Sequence, residues 1–240
     1  MISYDHYHFL KSGDGDQYFL NLALIREAAL EARKPFLNII QASTVEPAWR
    51  LPSASEPRFL AFTTLAYGGR GISYFLYWGP QWQGGLYQDS KPSPLARAAA
   101  ALNAELVRFG PVLLALESTG VYHTAPLPYG TNALPATAPV RFLGQGEFVL
   151  SLFGSGGETT AFMVVNRNYR KGATATLKVT LPGKRIQELD RKTGQWSDGE
   201  RLSDGHTITV WLSPGDGGLF RVVISEDSPH EGRYRELWPV

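Results

Sequence analysis

Along the first half of the chain, short apolar runs alternate with longer segments of helical period; in the second half both give way to strands of period two. Ile2 to Phe9 mixes aromatic and polar residues as a strand end does, and Lys11 to Asp16 supplies turn residues and a helix cap. From Gln17 to Arg33, the positions of Phe19, Leu20, Leu22, Ala23, Leu24, Ala28 and Leu30 predict a helix with a broad apolar face, stopped by Lys34-Pro35. Phe36 to Gln41 is an apolar run that predicts a buried parallel strand. The cycle then repeats. Ser55 is placed to cap a helix running to Tyr67, with Phe59, Leu60, Phe62, Thr63 and Leu65 as its buried stripe and Gly68-Gly69 as its end. Gly71 to Trp78 predicts a third strand. Alanine-rich Pro94 to Phe109 predicts a third helix, which Pro111 to Leu116 extends by a turn or two.

Val121 to Val140 carries several prolines and no helical period, so it reads as a linker or as the opening of a second domain. Strands are predicted beyond it at Val140–Leu143, Phe148–Phe153, Thr159–Asn166, Ala173–Thr180, Ile186–Asp190, Thr207–Leu212 and Leu219–Ile224, with a spacing that suits a sandwich. The fold class expected is α/β plus all-β. About three β/α units of an incomplete (partial) barrel span residues 1–117, and an antiparallel β-sandwich follows over 118–226. A tail, 227–240, reads as mobile, with Trp238 as a docking residue. Three parallel strands do not close a barrel, so a homo-oligomer covering the open edges is expected.

Composition narrows the partners. Twenty-three basic against 22 acidic residues leave a net charge of +1, which gives no electrostatic case for nucleic acid or an anionic membrane and suits a neutral ligand such as a sugar. The chain has no cysteine, which removes disulfides, thiolate zinc sites and a cysteine nucleophile while leaving the compartment open. No stretch approaches eighteen apolar residues and no basic-then-apolar leader is visible, so a soluble chain is expected. Gly154–Gly157 and Gly215–Gly218 lack the strand, helix and Lys-Ser/Thr context of phosphate loops and read as hairpin turns. No Gly-x-Ser-x-Gly elbow is present.

The segments YDHYHF (from Tyr4), KPFLNIIQAS (from Lys34) and GGRGISYFLYWG (from Gly68), followed by AFMVVNRN, LDRKTGQW and LSPGDGGLFRV, carry a resemblance. In that order they resemble the sixth, seventh and eighth strands, and the appended sandwich, of β/α-barrel (TIM-barrel) glycoside hydrolases. The resemblance implies a sugar-cleaving ancestor and no cofactor. It also implies an acid/base glutamate after the fourth strand and a nucleophilic glutamate after the seventh. This chain shows no fourth strand, and its matching seventh-strand residue is Gln41, an amide that cannot serve as the nucleophile.

Active sites of such barrels gather at the C-terminal strand ends, here Asp5–His8, Gln41–Glu46 and Tyr77–Trp82. By the period of two, Ser3, Asp5 and Tyr7 share one face, which makes Asp5 the leading catalytic candidate; the resemblance implies that an aspartate after the sixth strand is used as acid/base in some retaining enzymes. Glycoside hydrolysis needs two carboxyl groups, about 5 Å apart for retention and about 6.5–9.5 Å for inversion. Glu46 is the expected partner, since Glu56 belongs in the first turn of a helix, where it favours the dipole. His6 and His8 are candidates for sugar binding or for a proton shuttle with Asp5, and no third spaced ligand accompanies them, so no metal is expected. Tyr7, Gln41, Trp49, Arg50, Tyr77, Trp78 and Trp82, with Tyr87 nearby, complete the expected substrate-binding set: rings for flat sugar faces, polar groups for hydroxyls. Arg58 and Arg70 suit an acidic sugar or a surface carboxylate equally.

Overall fold

The computed structural model describes residues 1–79, 82–155, 158–183, 185–198, 200–201 and 206–223. The tail, including Trp238, lies outside the described residues, as does Ile224. The first half alternates strands and helices: β1 (Ile2–Asp5), α1 (Tyr18–Glu31), β2 (Phe36–Gln41), α2 (Glu56–Ala66), β3 (Gly71–Phe75) and α3 (Pro94–Leu114). The strands form one parallel sheet in the order β1-β2-β3, with Ile2 opposite Phe36, Asp5 opposite Ile39 and Gln41 opposite Phe75. The second half is antiparallel: β4 (Glu117–His123), β5 (Val140–Phe142), β6 (Phe148–Ser155), β7 (Glu158–Asn166), β8 (Ala173–Val179), β9 (Arg185–Glu188), β10 (Glu200–Arg201), β11 (Thr207–Leu212) and β12 (Gly217–Val223). These make a six-stranded sheet, β4-β6-β7-β12-β9-β10, and a three-stranded sheet, β5-β8-β11.

Side-chain alternation explains how the layers stack. Ile2, Tyr4, Phe36, Ile40, Ile72 and Tyr74 face the helices, and from the far side Val149, Phe153, Met163, Val165 and Leu219 of the six-stranded sheet join the same apolar core. The intervening residues Phe148, Leu150, Leu152, Phe162, Val164, Phe220 and Val222 form a second core with Leu177, Ile208 and Leu212 of the three-stranded sheet. The six-stranded sheet is thus apolar on both faces, and its β7 shows an unbroken buried run from Ala161 to Asn166. The helices lie between two sheets, and ten of the eleven residues of α2 are buried. Burial of the Leu, Phe and Ala side chains of α2 is the main force joining the two halves.

The other face of the parallel sheet is open. Ser3, Asp5 and Ser73 are exposed there and Leu37 and Ile39 are half-buried. Neither outer edge, of β1 or of β3, pairs with another strand among the described residues. Along the β3 edge a groove of about 580 Å3 runs against α3, lined by Ile72, Tyr74, Asn103, Leu106 and Val107.

Two expectations need correction. The apolar face drawn for the first helix is too broad: Leu24 and Leu30 are exposed, and Tyr18, Phe19, Leu22 and Ala29 do the packing. Ser55 precedes α2 without capping it: its backbone is already in the helical region, at φ −85° and ψ −21°, and its hydroxyl donates to the Tyr169 carbonyl at 3.3 Å. The expected extension of the third helix is present: Pro111 lies inside α3, which runs unbroken to Leu114. Of the two alternatives left open for the segment from Val121, its start is strand, since β4 spans Glu117–His123 and pairs with β6.

Candidate functional site

The open face and the C-terminal strand ends bring together part of the expected set. Asp5 ends β1 on the exposed side, and the chain then turns so that Tyr7 leans over the sheet. The Tyr7 ring centre lies 4.2 Å from that of Trp49 and 5.5 Å from that of Phe75. Trp49 and Trp82 are near-parallel at 18° with centres 6.3 Å apart, and Phe75 meets Trp82 edge-on at 5.0 Å. All four rings are half-buried, so they form a partly open aromatic wall beside the one carboxylate that ends β1. Burial, and then the neighbouring Asp5, pushes the Tyr7 phenol well above its ordinary range, so the phenol stays a neutral donor.

Each ring is held by its own local structure. Trp49 sits in a turn whose amide donates to the Val45 carbonyl at 2.8 Å and whose carbonyl accepts from the Thr44 hydroxyl. Trp82 packs over Gly79: a Cβ there would lie 2.7 Å from the indole Cδ1, so only glycine leaves the ring its place. Beyond β3 the chain doubles back, with Leu86 N donating to Leu76 O at 3.0 Å and Tyr87 N to Tyr77 O at 2.8 Å. This loop is tied to α3 by Ser93, whose Oγ caps the helix by accepting from Ala96 N at 3.2 Å and donates to Gly85 O at 2.8 Å. It carries the stacked pair Tyr77 and Tyr87, centres 4.7 Å apart, and the exposed Trp78.

Other expected residues are engaged elsewhere. Gln41 is not a substrate ligand: it is wholly buried, its Oε1 accepts from Phe9 N at 3.0 Å, and its Nε2 donates to the carbonyls of Phe9, Ser43 and Arg50 at 3.1, 3.4 and 2.9 Å. The amide staples three loop segments and has no free group to offer. His8 is likewise a packing residue, its ring 4.9 Å from Tyr18 and 5.7 Å from Phe59, and burial lowers its pKa to about 4. Arg50 stacks over Phe9 and pairs with Glu56 at 2.7 Å and Asp14 at 3.1 Å, so it braces the loop instead of facing a ligand. Glu46 is exposed and paired with Lys11, which ties the loop after β2 to the hairpin after β1. His6 is half-buried beside Tyr18; burial lowers its pKa and the Asp5 charge partly offsets this. Arg58 and Arg70 serve the fold, the first in an ion cluster described below and the second on the carbonyls of Leu113 and Leu116.

Two residues carry roles the sequence reading passed over. Phe75 belongs to the aromatic wall, and the signal was there: Gly71, Ser73 and Phe75 share the open face by the period of two. Asp14 gathers Arg50, Arg170 and the Tyr169 hydroxyl; burial works to raise its pKa, and the Tyr169 and Arg50 hydrogen bonds outweigh it and hold the carboxyl below its ordinary range. Nothing local announces that cluster, since Asp14 and Tyr169 are 155 residues apart. Among the described residues no group of three or more metal-ligating side chains converges.

No family model matches the chain, and no curated protein matches it either. Solved structures similar to it are glycoside hydrolases. A family 39 glycoside hydrolase from the gut symbiont Bacteroides cellulosilyticus is 15% identical over 84% of this chain and 37% of its own, with a TM-score of 0.44. A family 27 β-L-arabinopyranosidase from Geobacillus stearothermophilus is 9% identical, covering 93% and 45% of the two chains, with a TM-score of 0.42. A 4-O-α-L-rhamnosyl-β-D-glucuronidase from Fusarium oxysporum is 10% identical over 92% and 52%, with a TM-score of 0.39. The chain therefore spans about a third to a half of the length of these structures. At TM-scores below 0.5, activity has to be read from the residues at the strand ends.

Proposed function

We propose that the strand-end face binds a neutral glycoside and that Asp5 is its acid/base carboxylate, the parallel sheet being part of a β/α barrel and the two antiparallel sheets a β-sandwich. The observation that supports this is the pairing of Asp5 and Tyr7 with the half-buried rings of Trp49, Phe75 and Trp82. Flat rings take the apolar face of a pyranose, while a carboxylate and a phenol exchange hydrogen bonds with its hydroxyls. Hydrolysis needs a second carboxyl group, and Gln41 occupies the place where the resemblance would put one. Glu46, with its Lys11 partner, is the remaining candidate on this chain. A second copy seated on the free sheet edges is the other source: the edges of β1 and β3 run parallel, and the β3 edge is flanked by the groove that exposes Val107.

The test is turnover of a panel of aryl glycosides by the full chain beside Asp5→Asn, with both proteins folded to the same degree. A fall of at least 100-fold in kcat is expected for the variant, the size of a lost acid/base contribution. Equal turnover in both would remove Asp5 from the chemistry. A second reading, sugar binding without cleavage, is favoured by the amide at Gln41; saturable binding with no turnover in either protein would select it. For the assembly, light scattering at micromolar concentration is expected to give more than the monomer mass of 26.5 kDa, and a strict monomer would remove self-association.

A further inference from the structure

We propose that the site takes an oligosaccharide and not a single sugar ring, with the stacked tyrosines Tyr77 and Tyr87 as a second platform for the adjoining unit; this rests on the glycoside reading of the strand ends. Three observations carry it. The first is exposure: Tyr77 is 62% and Trp78 53% exposed, side by side on one loop, where large rings ordinarily find cover. The second is preorganisation. Tyr77 and Tyr87 stack at 4.7 Å and 28°, and the backbone beneath them is locked by the 2.8 Å bond from Tyr87 N to Tyr77 O, so a ligand orders no mobile ring on binding.

The third is position. Phe75 belongs to the wall beside Asp5, and Tyr77 is two residues further on, so the two Cα atoms are at most about 7 Å apart. The same loop carries Trp82 back onto the wall, so a single loop presents rings to two successive positions. Gln88, Asp89, Ser90 and Lys91 are exposed along the adjoining hairpin and supply the donors and acceptors that hydroxyl-rich ligands need. With a chain net charge of +1, the ligand chemistry that fits is a neutral glycan.

The experiment measures binding of cello-, xylo-, manno- and laminari-oligosaccharides of one to six units by calorimetry, using the full chain, Tyr77→Ala and Tyr87→Ala, each checked for folding by its melting curve. For at least one series the wild type is expected to gain tenfold or more in affinity between one unit and three. That gain is expected to disappear in Tyr77→Ala, whose ring is mostly in solvent and whose loss leaves the fold intact. Affinity that does not rise with length, or a rise that survives both substitutions, overturns the second platform and leaves the strand-end reading standing. No binding of any of these sugars by the wild type overturns both. Variants that keep the length gain but lose mass by light scattering would assign the rings to self-association instead.

Discussion

Gln41 shows how one side chain decides what a strand end can do. Its amide nitrogen faces three carbonyl oxygens, a setting that only a donor satisfies. Gln41→Glu would set a carboxylate against those carbonyls and lose the donated bonds, and it is expected to cost on the order of 3 kcal/mol of stability in urea unfolding without adding turnover. A variant within 0.5 kcal/mol of wild type would refute this account of the site. The same residue marks the limit of what the sequence discloses about the candidate site. Asp5, Tyr7, Trp49 and Trp82 were legible because a strand period and a loop rich in rings place them at one end of a sheet. Gln41, His8 and Arg50 looked equally suitable on composition. Their partners Phe9, Tyr18, Glu56 and Asp14 come from other segments, and those contacts exist only once the chain has folded.

Among the elements, α2 is the one whose partners were least visible. Its burial on nearly every side follows from a place between two sheets, which no helical period in 56–66 specifies. Arg58, its one residue that is not buried, holds an ion cluster: its guanidinium meets Glu105 of α3 at 2.6 Å and Asp216, just before β12, at 2.9 Å, and Arg191 meets the same Asp216 at 2.6 Å. Asp216 is almost fully buried, so removal of one cation leaves carboxylates short of a partner. Arg58→Ala is expected to lose about 3 kcal/mol in chemical denaturation, and Arg58→Lys to restore only part of it because an ammonium cannot fork between two acids. The strands of the second half were legible from their alternation, Thr207–Leu212 above all. β4 was not: Gly120 and a register shift between Ser118 and Gly120 break its alternation, and the prolines that follow suggest a linker. Pro111 does not interrupt α3, as the extension read from Pro111 to Leu116 expects. The carbonyl it leaves without a donor is that of Val107, on a residue that is 73% exposed.

Across the whole molecule, two buried histidines set the response to acid. His123 of β4 accepts from or donates to Tyr67 OH at 2.8 Å, and burial, then the Arg167 charge, lowers its pKa to about 3; burial lowers His8 to about 4. Both are bases depressed in the fold, with ordinary values near 6.5 when unfolded. Their contribution is therefore complete above about pH 6.5 and is lost as pH falls towards 4 and 3, because the unfolded chain takes up protons that the folded chain refuses. Unfolding free energy is expected to drop on the order of 3–4 kcal/mol between pH 7.5 and 5, with roughly half of that drop absent in His123→Gln; a flat profile would contradict it. Tyr67 and His123 stand on opposite sides of the seam where the helices meet the six-stranded sheet, as do Arg58 and Asp216. Ser151 reaches across the same seam to the carbonyl of Ala66. Gly215 presses there too: its φ is +67°, and any Cβ would come within 2.9 Å of the Phe59 backbone. A seam built of such close fits tolerates no substitute partner, so recombination that exchanged one half for a foreign counterpart would break both.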